Sequence, residues 1–166
     1  MMKILVAVDD EVFGEAIADF ITQHRWPADT YFKVVHVIEP SLLDQSTDIA
    51  FMPLLESLAE ESRKLARALI RHVALIIRDA FKTTHVEEEV LEGQPKEKIL
   101  EAAGKWGANL IFVGSHGRRG ISLLMLGSVS TAVVSHAACS VMVIRPQTTQ
   151  ASSGREAHVR AAAGIK

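Results

Sequence analysis

Short apolar runs alternate with longer stretches in which apolar residues recur at helical spacing. Lys3 to Val8 (KILVAV) is a β-rich run of the kind expected for a strand covered on both faces. Phe13 to His24 places Phe13, Ile17, Phe20 and Ile21 at helix spacing, and Tyr31 to Ile38 (YFKVVHVI) reads as a second buried strand. Glu39 to Pro53 has no period and is expected to be a loop. Leu54 to Ala80 predicts a long amphipathic helix with Leu58, Leu65, Leu69, Val73 and Ile76 on its apolar stripe. His85 to Leu91 alternates as a strand does. Gly93-Gln94-Pro95 is a turn that feeds Pro95 into the first position of a helix, where its missing N–H costs nothing. That helix extends to about Trp106, with Ile99, Leu100 and Ala103 inward. Asn109 to Val113 is a strand, a glycine-rich loop starts at Gly114, Gly127 to His136 is a short helix, and Ser140 to Ile144 is the last strand.

Strict β-α alternation argues for an α/β fold with a parallel sheet and helices on both faces. Right-handed crossovers make a doubly wound, five-stranded sheet in the order 3-2-1-4-5 the natural solution. There is no internal repeat. After Gln147 the chain turns to Ala, Ser, Thr and Gly without large apolar residues. Residues 1–146 are therefore expected to form the domain and 147–166 a mobile tail.

Composition narrows the function classes. The chain has 166 residues and a formal net charge of −2. No basic field invites nucleic acid, and no apolar stretch reaches the ~18 residues that span a bilayer. The start MMKILVAVDD lacks the long apolar core of a signal peptide. A lone Cys139 allows no intrachain disulfide and no cysteine metal cage, so a cytoplasmic setting is expected.

Two patterns attract attention and fail. ILVAVDDE resembles the start of a response-regulator receiver domain, which needs a phosphoacceptor Asp at the end of its third strand. Asp48 precedes Met52-Pro53, but SLLDQST is no buried strand, and Arg145-Pro146 stands where a receiver wants Lys before Pro. The seven histidines are scattered, with no pair at metalloprotease spacing. His36 reads as a packed or edge residue of a strand. Ser115-His116 is no catalytic dyad, since adjacent residues rarely face each other and no G-x-S-x-G elbow is present.

The stretch GSHGRRGISLLMLGSVS, Gly114 to Ser130, carries the chemistry. Glycines let backbone amides approach a ligand, and the first turn of a helix offers unbonded N–H groups at the positive end of its dipole. Ser128 is expected to cap that helix or to donate its hydroxyl to an anion. Arg118 and Arg119 add positive charge. The pattern is neither a P-loop nor a dinucleotide fingerprint. In the order 3-2-1-4-5, however, strands one and four border the crevice where ligands of such sheets bind. Asp9 ends strand one, and the glycine loop begins where strand four ends. An acid would repel a phosphate, so Asp9 is expected to meet a ribose hydroxyl or a bridging Mg²⁺, which makes the ligand a nucleotide.

At this point the sequence resembles the universal stress protein family in its ATP-binding branch, whose motif is G-2x-G-9x-G-[ST]. Here it reads Gly114, Gly117, Gly127 and Ser128, with every position filled at the family spacing. The likeness extends over about Met2 to Pro146, through ILVAVD, HVIEP, Gly93-x-Pro95 and SVMVIRP. It implies a Rossmann-like fold of the adenine nucleotide alpha hydrolase type. It also implies site roles: Ala7 and Val8 along the base pocket, the Val37 backbone against adenine, Asp9 near the ribose with Val113 and Gly114 bordering it, and Gly117, Gly127, Ser128 and Val129 on the phosphates. His116 and Arg118 stand inside the same loop. Many relatives carry Ser or Thr soon after the acid, where this chain has Asp10 and Glu11. These two are expected to be helix-entry acids that complement the dipole of the first helix.

The resulting expectation is a nucleotide-binding stress-response sensor or adaptor that holds ATP, or ADP or AMP, with or without Mg²⁺. No metal-ligating or catalytic set stands out, and His116 is the single candidate base. The alternatives are a weak ATPase or phosphotransferase, and an interaction module that binds no nucleotide. Ser140 to Ile144 is expected at a sheet edge with little charge, where pairing with its twin would bury it. The family dimerises this way, so a homodimer through that strand is implied.

Overall fold

The apolar runs assemble into a single parallel sheet. The computed structural model describes residues 1–40, 52–82, 85–115 and 126–146. Along the chain lie β1 (Met2–Ala7), α1 (Glu11–Gln23), β2 (Thr30–Ile38), α2 (Met52–Ala80), β3 (His85–Glu92), α3 (Pro95–Trp106), β4 (Leu110–Gly114), α4 (Ser128–His136) and β5 (Ser140–Ile144). The strand order is β3-β2-β1-β4-β5, as the alternation predicts. β1 sits at the centre, with Ala7 level with Val35 of β2 and with Val113 of β4.

Alternating side chains build a core on each face. On one face Ile4, Val6, Phe32, Val34 and Phe112 pack beneath Ile17 and Ile21 of α1 and Ile70, Val73 and Ile77 of α2. Phe112 is fully buried, with ring centroids 5.8 Å from Phe20 and 6.0 Å from Trp26. On the other face Leu5, Ala7, Val35, Val37, Ile111 and Val113 pack beneath Ile99 and Ala103 of α3 and Val133 of α4. The two helix pairs thus lie on opposite faces, as a doubly wound sheet requires. Gly93 takes φ +136° in the turn before α3, a conformation that favours glycine.

Two expectations about α2 are corrected. The helix begins at Met52, inside the stretch read as a loop, and Pro53 occupies its first turn. Its buried stripe is Ala66, Ile70, Val73, Ala74 and Ile77, whereas Leu58 and Leu65 are 49% and 65% exposed. Val73 belongs to both stripes, and Leu69 and Ile76 pack half-buried against the same core, so the expectation fails at Leu58 and Leu65. The packing selects the stripe with small residues, because α1 comes close: a Cβ on Gly14 would stand 2.9 Å from Val73 Cγ2. The rest of the expected loop before Met52, at 41–51, and the tail at 147–166 lie outside the described residues. Among the described residues no helix is long and apolar enough to cross a membrane.

Candidate functional site

At the carboxyl end of the sheet, β1 and β4 are neighbours whose following helices diverge over opposite faces. Ala7, Val37 and Val113, from three adjacent strands, share one cluster, and Val129 of α4 packs against it. All three strand residues are less than a tenth exposed. Four of the expected pocket residues are therefore brought together. The Val8 side chain is not among them, because it packs into the opposite core beside Val6 and Ile17. Asp9 is exposed at the end of β1, and Gly114 is half-buried at the end of β4.

The two helices that start here end differently. Asp10 is the N-cap of α1: its backbone is extended, at φ −144° and ψ 174°, and its carboxylate accepts from Phe13 N at 2.9 Å. Glu11 follows in the first turn. The paired acids thus act as expected at a helix entry, with a specific bond for one of them. The N-cap of α4 is Gly127, which makes no side-chain capping bond. Ser128 is consequently the first residue of the helix and not its cap, which corrects half of its expected role. No acid lies in the first turn of α4. Its amides have no carbonyl partner from within the helix, a property of any first turn.

Hydrogen bonds tie this first turn to the sheet. Ser115 N donates to Ile144 O at 2.8 Å, and Gly127 N donates to Ser115 O at 2.8 Å. The Ser130 hydroxyl, on a residue 4% exposed, donates to Gly114 O at 2.5 Å. The amide end of α4 is thereby held beside the end of β4. Sequence reasoning did not single out Ser130. The available signal was a second hydroxyl two residues past Ser128, with nothing to show that it would be buried.

Of the two expectations for His36, packed or at an edge, the structure shows the first: it is buried. Its Nδ1 lies 2.8 Å from Val8 O. A carbonyl can only accept, so Nδ1 carries the hydrogen. Val8 N in turn donates to Val35 O at 3.0 Å. Val8, just before Asp9, is thus held at both its N–H and its C=O by neighbouring residues of β2. A histidine inside an apolar strand must find such a partner, which was the signal for this positioning role.

His116, Gly117 and Arg118 lie outside the described residues. Among the described residues the resolved charge effects lie away from the crevice. Lys33, on the flank of the sheet beside α3, is disfavoured as a cation by burial. Hydrogen bonds to Glu89 and Glu87, at 3.0 and 3.1 Å, outweigh that and raise its pKa above the usual lysine value. Burial raises that of Cys139.

The family model described as "Universal stress protein family" matches residues 1–145. Universal stress protein A homolog 2 of Coxiella burnetii is 57% identical over 53 residues, 32% of this chain and 36% of its own length. A Mycolicibacterium smegmatis universal stress protein is 35% identical over 100 residues, 60% of this chain. The chain spans 36% and 33% of the lengths of these two relatives. Universal stress protein Sll1388 of Synechocystis is 28% identical over 86% of this chain and 97% of its own length. Among solved structures, Lactobacillus plantarum UspA superposes with a TM-score of 0.68 at 25% identity, over 87% of this chain and 97% of that one. A complex of the Archaeoglobus fulgidus universal stress protein with dAMP has a TM-score of 0.52 at 24% identity, covering 87% and 98%. An Arabidopsis thaliana family protein with AMP bound has a TM-score of 0.53 at 18% identity, covering 93% and 97%; at these identities both show a shared fold. With the family model spanning both cores and both helix ends at the crevice, the chain belongs to the universal stress protein family.

Proposed function

We propose that the crevice between β1 and β4 binds an adenine nucleotide and that the protein serves as a stress-response sensor or adaptor. The ligand is ATP, or ADP or AMP, with or without Mg²⁺. The base lies against Ala7, Val37 and Val113, with the backbone at Val8 beside it. The ribose meets Asp9 near Gly114. The phosphates meet the amides of Gly127, Ser128 and Val129, joined by Gly117, His116 and Arg118 of the glycine motif. The observation that carries this reading is the contrast in capping: α4 begins beside the end of β4 with a glycine N-cap that makes no side-chain capping bond and with no acid in its first turn. Such an end favours an anion. The dAMP and AMP complexes of relatives add support for an adenine ligand.

Residues 1–146 are proposed as the binding domain, with 147–166 as an appended tail. Self-association is proposed through β5, an edge strand whose Val141, Met142 and Val143 remain half-buried in the single chain. Acid extraction of the purified protein, followed by anion-exchange chromatography against nucleotide standards, tests the binding. An adenine nucleotide at near-stoichiometric amount is expected. An empty extract followed by no heat on titration with Mg-ATP would leave a dimeric adaptor without a ligand.

A further inference from the structure

Glu11 and Glu15 stand one turn apart on α1, and His72 reaches toward them from α2. One ligating atom from each lies within 4.8 Å of the other two. His72 Nε2 is 3.1 Å from Glu15 Oε1. Packing produces this meeting. Gly14, beside Glu15, brings α1 against Val73, beside His72, and a Cβ on residue 14 would stand 2.9 Å from Val73 Cγ2. The three donors are therefore set by a tight helix crossing between buried residues, although the donors themselves are exposed.

We propose that Glu11, Glu15 and His72 form a site for a divalent transition-metal ion of the zinc class that clasps α1 to α2. The donor set selects the ion. One imidazole and two carboxylates suit Zn²⁺ and its neighbours, whereas Mg²⁺ and Ca²⁺ favour all-oxygen shells. An ion bound at ~2.0–2.2 Å from each ligand needs donors roughly 3.0–3.5 Å apart. The imidazole–carboxylate edge already has that length, and rotation of the exposed Glu11 side chain closes the remaining gap. Three protein ligands leave room for water to complete the shell. Glutamates at i and i+4 repel each other on a helix, and a dication reverses that sign. The proposal is independent of the nucleotide reading.

The test uses the full chain, stripped with chelator and free of nucleotide. Zn²⁺ is titrated by calorimetry, and Co²⁺ is followed by its visible absorption. One equivalent is expected to bind. His72→Ala and Glu11→Gln each weaken binding at least tenfold, while His85→Ala, at another exposed histidine, leaves it intact. Zn²⁺ raises the melting temperature of the natural chain and not that of His72→Ala, and the two melt alike without metal. Absence of binding to the natural chain, or binding that both His72→Ala and Glu11→Gln retain at full strength, overturns the site.

Discussion

Two helices begin at the same end of the sheet, on either side of one crevice, and their first turns are built in opposite ways. α1 is closed: the Asp10 carboxylate takes the Phe13 amide, and Glu11 adds a second negative charge. α4 is open: Gly127 offers no side chain, and its first turn holds no acid. Both starts are anchored to strands, α1 through the His36 bond to Val8 and α4 through the Ser130 bond to Gly114. The difference is therefore one of chemistry on equally fixed supports. A capped helix end has satisfied its dipole from within the chain, and an uncapped one leaves that favourable field for something else. An anion that entered this crevice would find one attractive wall and one repulsive wall, which gives it a direction.

The largest effect is expected from His36→Leu. It leaves the buried Val8 carbonyl without its donor, at a cost of about 1–3 kcal/mol in a denaturant melt. Nucleotide affinity should fall with it if the anchored turn aims Asp9; affinity unchanged in the folded variant would show that the α1 side is indifferent to this anchor. Gly127→Asp comes next. It closes α4 in the manner of α1 and places a carboxylate where the phosphate is proposed. Affinity for ATP in a calorimetric titration should drop at least tenfold, about 1.4 kcal/mol, while thermal stability holds or gains a few tenths of a kcal/mol. Retained affinity would remove α4 from the site. Asp10→Ala opens α1 and should destabilise the protein by about 1 kcal/mol, with nucleotide binding to the folded form unchanged. The smallest effect is a control on the flank. The pKa of Lys33 is raised, so its contribution to stability is complete below the ordinary lysine value, near 10.5, and fades as pH rises through the raised one. Between pH 9 and 12 the natural chain should lose slightly more stability than Lys33→Met, followed by melting temperature, with neither helix end involved.

Much of this was legible in the chain. The strands and most helix limits follow from local periodicity, and Pro95, Gly93 and the run at Ser140 to Ile144 appear where their local chemistry requires. The gathering of Ala7, Val37 and Val113 follows from the strand order alone, because residues at the carboxyl ends of adjacent parallel strands are neighbours. The face taken by the α2 stripe was legible at Leu69, Val73 and Ile76 but not at Leu58 and Leu65. Leu58 and Leu65 have the right spacing, but spacing does not say how closely α1 approaches, and Gly14 set against Val73 and Leu69 decided that.

The sequence by itself determined the order of elements, the parallel sheet, its reversal between β1 and β4, and hence the place of the crevice. Each of these rests on interactions within a few residues or on the handedness of the crossovers. Only the tertiary structure decided which carbonyl His36 holds, what Ser130 secures, and that His72 meets two glutamates from another helix. Those outcomes depend on groups far apart in the chain coming within 4.8 Å of one another or closer, and no local pattern encodes a meeting of that kind.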